Sequence, residues 1–392
     1  MGRAHSNDYR CQAVLEAVKP GLESRRRTRT EVLKPKEVQV DQSEKLVGTG
    51  QIAVGVVGTG GMGGMHAENL HSRVADARLT AVADLDSARA GKLAERCDSA
   101  AVFEDAVELI RDDSVEAVVI ASPDPTHAPL VLECLRNEKP VLCEKPLADS
   151  ADAALKVVEA EVELGRKLVQ VGFMRRYDPQ HVAVKEAVGS GVVGAPVVFK
   201  GWHRNAAVEP DITSEWVVIN ATIHDIDSAR WFIEEEIEEV FVRGMNTAPK
   251  LGEDVWDLQL IQFTTTGGRM GSIETNVVSG YGYEVGVELV GEQGVVRTPP
   301  PAGAVVLRDR AASQRIEDDW RDRFYAAYVI EMQRWVGSLR NGQPTGPDAW
   351  DGYASLVVAD ACIASLRSGA PRKVAKLDVP ALYASEGSGV IR

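Results

Sequence analysis

Long apolar runs are missing from this chain. Hydrophobic residues make up 44% of its 392 positions, enough for packed cores, yet no stretch approaches the ~18 residues that would cross a bilayer. Excess positive charge is missing too. The 44 Lys/Arg face 58 Asp/Glu, a net charge of −14, so general affinity for nucleic acid, which needs a basic face, is not expected. Cysteine is sparse: Cys11, Cys97, Cys134, Cys143 and Cys362 are odd in number, widely spaced and form no C-x-x-C pair. Neither a zinc knuckle nor a disulfide framework is indicated. Cys143 reads as a small buried residue, and the compartment as reducing, hence cytoplasmic. No His/Asp/Glu set has metal-ligand spacing, since His66 and His71, five apart, diverge on a helix. There are no internal repeats.

Against these absences stands one dense feature, Val54-Gly-Val-Val-Gly-Thr-Gly-Gly-Met-Gly-Gly64. It places Gly58, Gly60 and Gly63 in G-x-G-x-x-G spacing directly behind the apolar segment Ile52–Val57. A helical pattern, 62–74, follows at once, and Asp84 closes the next apolar run, Leu79–Ala83. Strand, glycine turn, helix and a later acid together form the context that a dinucleotide site requires. Gly58 permits the tight turn, Gly60 lets the backbone approach a pyrophosphate, and Gly63 lets the helix pack close to the strand. The helix start, Gly61 and Met62 included, offers free N–H groups to phosphate. Asp84 can accept hydrogen bonds from both ribose hydroxyls and would repel a 2′-phosphate, which favours NAD over NADP.

The length suggests two domains. From Gln51 to about Gly172, apolar runs at Ile52–Val57, Leu79–Ala83, Val115–Ala121, Pro140–Cys143 and Lys167–Val171 alternate with helical patterns near 62–73, 86–97, 126–137 and 149–164. That alternation predicts a doubly wound parallel sheet with its crevice at the C-terminal strand ends. After Phe173 come helices near 178–189 and 221–233 and a strand at Val197–Trp202. Further strands follow at Ile237–Met245, Val255–Thr264, Met270–Val278, Glu284–Gly291 and Val295–Arg297, separated by glycine turns. These predict an antiparallel meander with helices on one face. Its other face then needs cover, which suggests oligomerisation through the sheet. Helices near 321–340 and 350–368 are expected to pack back on the body.

The expected fold is therefore α/β: a Rossmann dinucleotide-binding domain (50–172), then an α+β domain (173–372) with an open, mainly antiparallel sheet for substrate binding and oligomerisation. The flanks read as a basic, disordered tail (1–49) and a C-terminal tail (373–392). The first 46 residues hold ten Lys/Arg against seven Asp/Glu, including Arg25-Arg-Arg-Thr-Arg29. They contain no apolar stretch of the kind a secretory signal has.

Chemistry is expected where strands end at the crevice. Val141-Leu-Cys-Glu-Lys-Pro-Leu147 points Glu144 and Lys145 toward the nicotinamide end, where an ammonium can bind a substrate hydroxyl and stabilise the alkoxide formed as hydride leaves. In Ile223-His-Asp-Ile-Asp227, His224 can act as general base, with Asp227 on the same face three residues on and Asn220 one turn earlier. His203 and Asn205 share a strand face by period two and suit hydroxyl recognition, although an exposed sheet edge would look the same. Met174-Arg-Arg-Tyr177 lies at the crevice rim, where Arg175 and Arg176 could alternatively form a phosphate-binding patch.

Together, Gly58–Gly63, Asp84, Glu144-Lys145-Pro146, Gly172-Phe-Met-Arg-Arg-Tyr177, His203-x-Asn205, Ile223-His-x-Ile-Asp227 and Tyr281-Gly-Tyr283 resemble the Gfo/Idh/MocA oxidoreductases. Within that family they are most similar to the NAD-dependent inositol 2-dehydrogenases, over roughly residues 51–370. The resemblance implies that Lys145 and His224 are catalytic, that Arg175, His203, Asn205, Asp227 and Tyr283 line a polyol pocket, and that His127 lies near the nicotinamide ribose. It implies NAD-dependent oxidation of a cyclic polyol, in the favoured case myo-inositol to 2-keto-inositol, by a homotetramer. One departure stands out: the family usually carries Asp where this chain has Asn220. The missing charge predicts a less basic His224. It also leaves open another cyclitol, an aminocyclitol or a pyranose as substrate, a non-catalytic NAD-binding regulator, or an NAD-dependent glycosidase.

Overall fold

The computed structural model of the chain describes residues 50–98, 100–300 and 304–384. The basic tail expected over 1–49 lies outside the described residues, as do residues 385–392 of the expected C-terminal tail.

The first half alternates strand and helix: β1 (Ile52–Val57), α1 (Gly61–Ser72), β2 (Ala77–Ala83), α2 (Ser87–Arg96), β3 (Ala101–Phe103), α3 (Ala106–Arg111), β4 (Ala117–Ile120), α4 (His127–Arg136), β5 (Val141–Cys143), α5 (Ala151–Leu164) and β6 (Val169–Val171). All six strands pair in parallel, in the order β3-β2-β1-β4-β5-β6. This is the dinucleotide-binding order, and its direction reverses between β1 and β4, where the ligand crevice opens. Burial on both faces explains why β4 and β5 read as unbroken apolar runs. The sequence pattern misses β3 and α3. β3 has only three residues, two of them exposed, so it carries no hydrophobic signal.

The second half comprises α6 (Pro179–Gly189), β7 (Pro196–Arg204), the one-turn α7 (Ser214–Trp216), α8 (Ile223–Ile233), β8 (Ile237–Met245), β9 (Leu258–Thr265), β10 (Met270–Asn276), β11 (Glu284–Gly291), β12 (Val295–Arg297), the hairpin β13 (Val305–Arg308) and β14 (Ala311–Gln314), α9 (Trp320–Leu339), α10 (Ala349–Ser368) and β15 (Arg372–Lys373). The large sheet runs β12-β11-β7-β10-β9-β8-β15. The expected meander fails at its centre, because β7 and β10 pair in parallel. The chain leaves β7, crosses through α8, and lays down β8, β9 and β10 so that β10 returns alongside β7 in the same direction.

Apolar side chains of α8 and α10 share one core with the inner face of that sheet, Phe232 and Val358 packing with Phe199, Ile261 and Ile273. Both C-terminal helices also return to the first sheet, as expected. Met332, Trp335 and Val336 of α9 share a core with Val54, Val56 and Leu70. Trp350 and Leu356 of α10 join Ile120, Val141 and Val169. The chain beyond α10 packs as well. Arg372 and Lys373 pair with β8, and the Tyr383 hydroxyl donates to buried Glu161 at 2.6 Å.

The glycine turn fixes how closely α1 approaches β1. Gly58 has φ +87°, and a Cβ on Gly63 would lie 1.8 Å from the Gly58 carbonyl oxygen. Gly63→Ala must push α1 away from the sheet. A loss of about 2–3 kcal/mol is expected, read as a lower urea midpoint at unchanged m-value; an unchanged midpoint would contradict this packing.

Candidate active site

Four loops converge at the C-terminal edge of the parallel sheet: the glycine turn after β1, Ala121–Ser122 after β4, Glu144–Lys145 after β5, and Phe173–Tyr177 after β6. Facing them is the start of α8, preceded by a wide π-type turn over Val217–Thr222, the kind of helix irregularity that often marks functional sites. Between lies a cleft of about 280 Å³, with Met62, Lys145, Asn205, Asn220, His224 and Tyr283 in its wall.

The dinucleotide end has room for its ligand. Nothing stands within 4 Å of where a Cβ on Gly60 would be, and α1 begins at Gly60 without a side-chain cap. Its first N–H groups are thus left for an anion. A Cβ on Gly61 would meet only Arg321, at 3.8 Å. Asp84 sits at the end of β2 and accepts from Thr59 N and Oγ1, both at 2.7 Å, and from Asp86 N at 2.9 Å. Burial alone would raise its pKa, but hydrogen bonds from Arg89, Asp86 and Thr59 hold it far below the carboxylate range. Beside it Leu85 is 99% exposed, an apolar surface open to a flat base. The spacing argument found Asp84 but gave no signal for Thr59, Leu85 or Arg89.

Lys145 donates its ammonium to the backbone carbonyl of Asn220, 3.2 Å away. The residue that departs from the family pattern therefore holds the lysine through its main chain, while its side chain lines the cleft. Burial pushes the Lys145 pKa below 10.5, opposed by Glu144 and Asp124 and reinforced by Arg175. Glu144 anchors this loop. Its Oε1 is 2.7 Å from His66 Nε2, its Oε2 accepts from Lys145 N at 3.2 Å, and a Cβ on Gly172 would press to 2.9 Å from that oxygen. His66, weighed in sequence only as a metal ligand, thus ties α1 to the lysine loop.

His224 lines the cleft, its ring edge-on to Phe173. Its Nδ1 finds no hydrogen-bond partner among the described residues. Burial, then the charges of Lys145 and Arg175 and the nearness of a second imidazole, His203, drive its pKa well below 6.5, so the imidazole is neutral at pH 7. The causes of this low basicity are burial and these neighbouring groups; Asn220 is not among them.

His203, Asn205 and Tyr283 are brought together on one wall. An Arg175 nitrogen lies 3.0 Å from His203 Nδ1, and His203 Nε2 lies 3.4 Å from the Tyr283 hydroxyl. His203 Nδ1 also stands 3.3 Å from Asp225 Oδ2, so that nitrogen meets a guanidinium donor and a carboxylate acceptor at once. Asn205 Oδ1 is without a partner among the described residues.

Three expectations need correcting. Arg175 is 1% exposed and lies beneath the cleft wall, donating to Asp225 at 2.7 Å. Asp227, also 1% exposed, is held by Arg176 and does not face the cleft. Every residue of α8 is buried, so sharing a face with His224 does not bring Asp227 to the ligand. Arg175 and Arg176 do not form an exposed phosphate patch either, since both are buried and paired with Asp225 and Asp227. His127 does lie in the cleft wall, but its ring nitrogens are each 2.7 Å from a carbonyl, of Pro146 and Ser122, where they clamp the lysine loop.

Comparison with known proteins identifies the family and the fold. The chain is 82% identical over 334 residues to an inositol 2-dehydrogenase of Rubrobacter xylanophilus, which covers 85% of this chain and 96% of that protein. It is 42% identical over 333 residues to inositol 2-dehydrogenase 1 of Saccharopolyspora erythraea, covering 85% and 99%. The crystal structure of myo-inositol dehydrogenase from Lactobacillus casei in complex with NAD(H) and myo-inositol superposes with a TM-score of 0.82 at 31% identity, covering 85% of this chain and all of that one. Family profiles described as "Oxidoreductase family, NAD-binding Rossmann fold" and "Oxidoreductase family, C-terminal alpha/beta domain" match residues 52–173 and 185–375, and the chain belongs to this Gfo/Idh/MocA oxidoreductase family.

Proposed function

We infer that the protein is an NAD-dependent dehydrogenase that oxidises one secondary alcohol of a cyclic polyol, myo-inositol to 2-keto-inositol. One observation carries the reading. At the crevice of a dinucleotide-binding sheet, an ammonium (Lys145) and a neutral imidazole (His224) share a cleft walled by hydroxyl-recognising groups.

Bound NAD supplies the hydride acceptor. Lys145 donates to the reacting hydroxyl and stabilises negative charge as it develops on that oxygen. His224, neutral at the outset, takes the hydroxyl proton. Asn205 Oδ1 and the Tyr283 hydroxyl orient further ring hydroxyls, with His203 packed beside the tyrosine. Asn220 lines the same wall and holds Lys145 through its carbonyl. Glu144 and His127 set the lysine loop beside the cofactor. Gly58, Gly60, Gly61, Met62, Gly63 and Asp84 hold the dinucleotide.

Assembly and location follow from other features. The outer face of the second sheet exposes Leu260 (52%) and Met270 (56%), which supports a homotetramer packed through it. The four described cysteines are free and buried, in keeping with a reducing, cytoplasmic setting.

A panel of inositols, an aminocyclitol and pyranoses with NAD tests the substrate. Strongest NADH formation is expected on myo-inositol; NAD binding without turnover on any of them would favour a regulator. Lys145→Ala should lower kcat by about 10²–10³-fold, the scale of losing one donor to a developing oxyanion, while NAD affinity stays near normal; retained kcat would remove the lysine from the chemistry. Because a base must be unprotonated, and the His224 pKa lies below 6.5, the acid limb of kcat/KM should fall below that pH. Asn220→Asp places a negative charge beside His224, raises its pKa, and should move that limb upward by about one pH unit while increasing kcat/KM on myo-inositol near pH 8. An unmoved limb, or a falling rate, would mean that Asn220 is matched to a different substrate.

A further inference from the structure

The charged side chains of the cleft wall are Asp124, Glu144 and Lys145. Glu144 is already engaged, its oxygens meeting His66 Nε2 and the backbone N–H of Lys145. Asp124 differs. Its carboxylate takes part in no hydrogen bond or ion pair among the described residues, yet the chain around it is tightly held. Pro123 and Pro125 flank it, and it opens the single turn Asp124–Thr126. Thr126 Oγ1 donates to the Pro123 carbonyl at 2.7 Å and lies 2.5 Å from Ser122 Oγ. His127 then stitches this turn to the lysine loop, with one ring nitrogen 2.7 Å from the Ser122 carbonyl and the other 2.7 Å from that of Pro146. An unengaged carboxylate is thus fixed in the same cleft wall as Lys145.

We propose that Asp124 is a positioning residue for the lysine chemistry: it keeps Lys145 an ammonium, supplying from the loop after β4 the negative charge that Asn220 lacks. An amine taken out of water favours its neutral form, and a neutral amine gives little stabilisation to a forming alkoxide. The groups around Lys145 divide by sign. Its own loop brings Glu144, the turn after β4 brings Asp124, the segment after β6 brings Arg175, and α8 brings His224. The phenols of Tyr283 and Tyr328 and the imidazoles of His127 and His203 complete the wall. Burial and Arg175 oppose the charge on the lysine, while Glu144 and Asp124 favour it. Glu144 shares its oxygens with His66, and Arg175 is paired with Asp225; Asp124 has no such competitor. On the α8 side the wall is made by Trp216, Asn220, Ala221 and His224, none of them acidic. The carboxylate that balances Lys145 across the cleft therefore comes from the first domain. This inference rests on the assignment of Lys145 to the reacting hydroxyl.

The test reads Lys145 both directly and through turnover. Intact protein labelled with carbon-13 at lysine Cε is titrated by NMR, with Lys145→Ala identifying the Lys145 signal. The pH profile of kcat/KM is measured on myo-inositol with NAD. The variants are Asp124→Asn, which keeps size and removes charge, Asp124→Glu, which restores charge, and Asp124→Asn/Asn220→Asp, which moves the carboxylate across the cleft. In Asp124→Asn the lysine should titrate about one pH unit lower. Because the reaction needs the ammonium, the alkaline limb of kcat/KM should move down with it, leaving a rate about tenfold lower beyond the limb. Asp124→Glu should stay near wild type, and the double variant should return toward it. An unmoved Lys145 titration in Asp124→Asn, or no return in the double variant, overturns the proposal. A lysine titration that moves while the alkaline limb stays in place overturns the reading of Lys145 beneath it.

Discussion

The site depends on a buried chain of opposite charges. Arg176, which follows the last parallel strand, grips Asp227 of α8 and reaches Asp351 of α10 at 2.9 Å. Arg230 of α8 binds the same Asp351 at 3.1 Å and Glu236 at 2.7 and 2.8 Å. One residue earlier, Arg175 holds Asp225. Removing water from so many charges is costly, and leaving one unpartnered typically costs about 3–5 kcal/mol. The network therefore permits one placement of α8 against the end of the first sheet. That placement sets His224 and the π-type turn opposite Lys145. Lys145 and His224 are thus brought together by residues that do not line the cleft.

The same charges shape the chemistry. A buried imidazole among Lys145, Arg175 and His203 loses its proton readily, so His224 is neutral at pH 7. His203 is kept neutral in a similar way, burial outweighing the opposing pull of Asp225. One arginine, Arg175, enters both balances, lying 3.0 Å from His203 Nδ1 and donating to Asp225.

Much of this was legible in the sequence, and the part that was not has a physical reason. Gly58 and Gly63 announced the turn because no other residue fits a positive φ or a 1.8 Å approach. Lys145 was readable because a lysine directly after a buried strand has one crevice to face. Asp227 was misplaced because i, i+3 spacing identifies a shared face only when a helix has a polar one, and α8 is buried all round. Arg175 looked like a ligand contact for a related reason: a buried ion pair and a binding residue have the same side chains. The central parallel pairing of β7 with β10 joins segments roughly 70 residues apart, and no local pattern encodes it.

The central claim is that this cleft moves a hydride from one ring carbon of a cyclitol to the nicotinamide held by the glycine turn. The most direct measurement supplies myo-inositol carrying deuterium at C2 together with NAD, then determines the isotope content of the NADH and the structure of the product. The account predicts one deuterium per NADH formed and an equal amount of 2-keto-inositol. Unlabelled NADH, or bound NAD with no reduction, would contradict it.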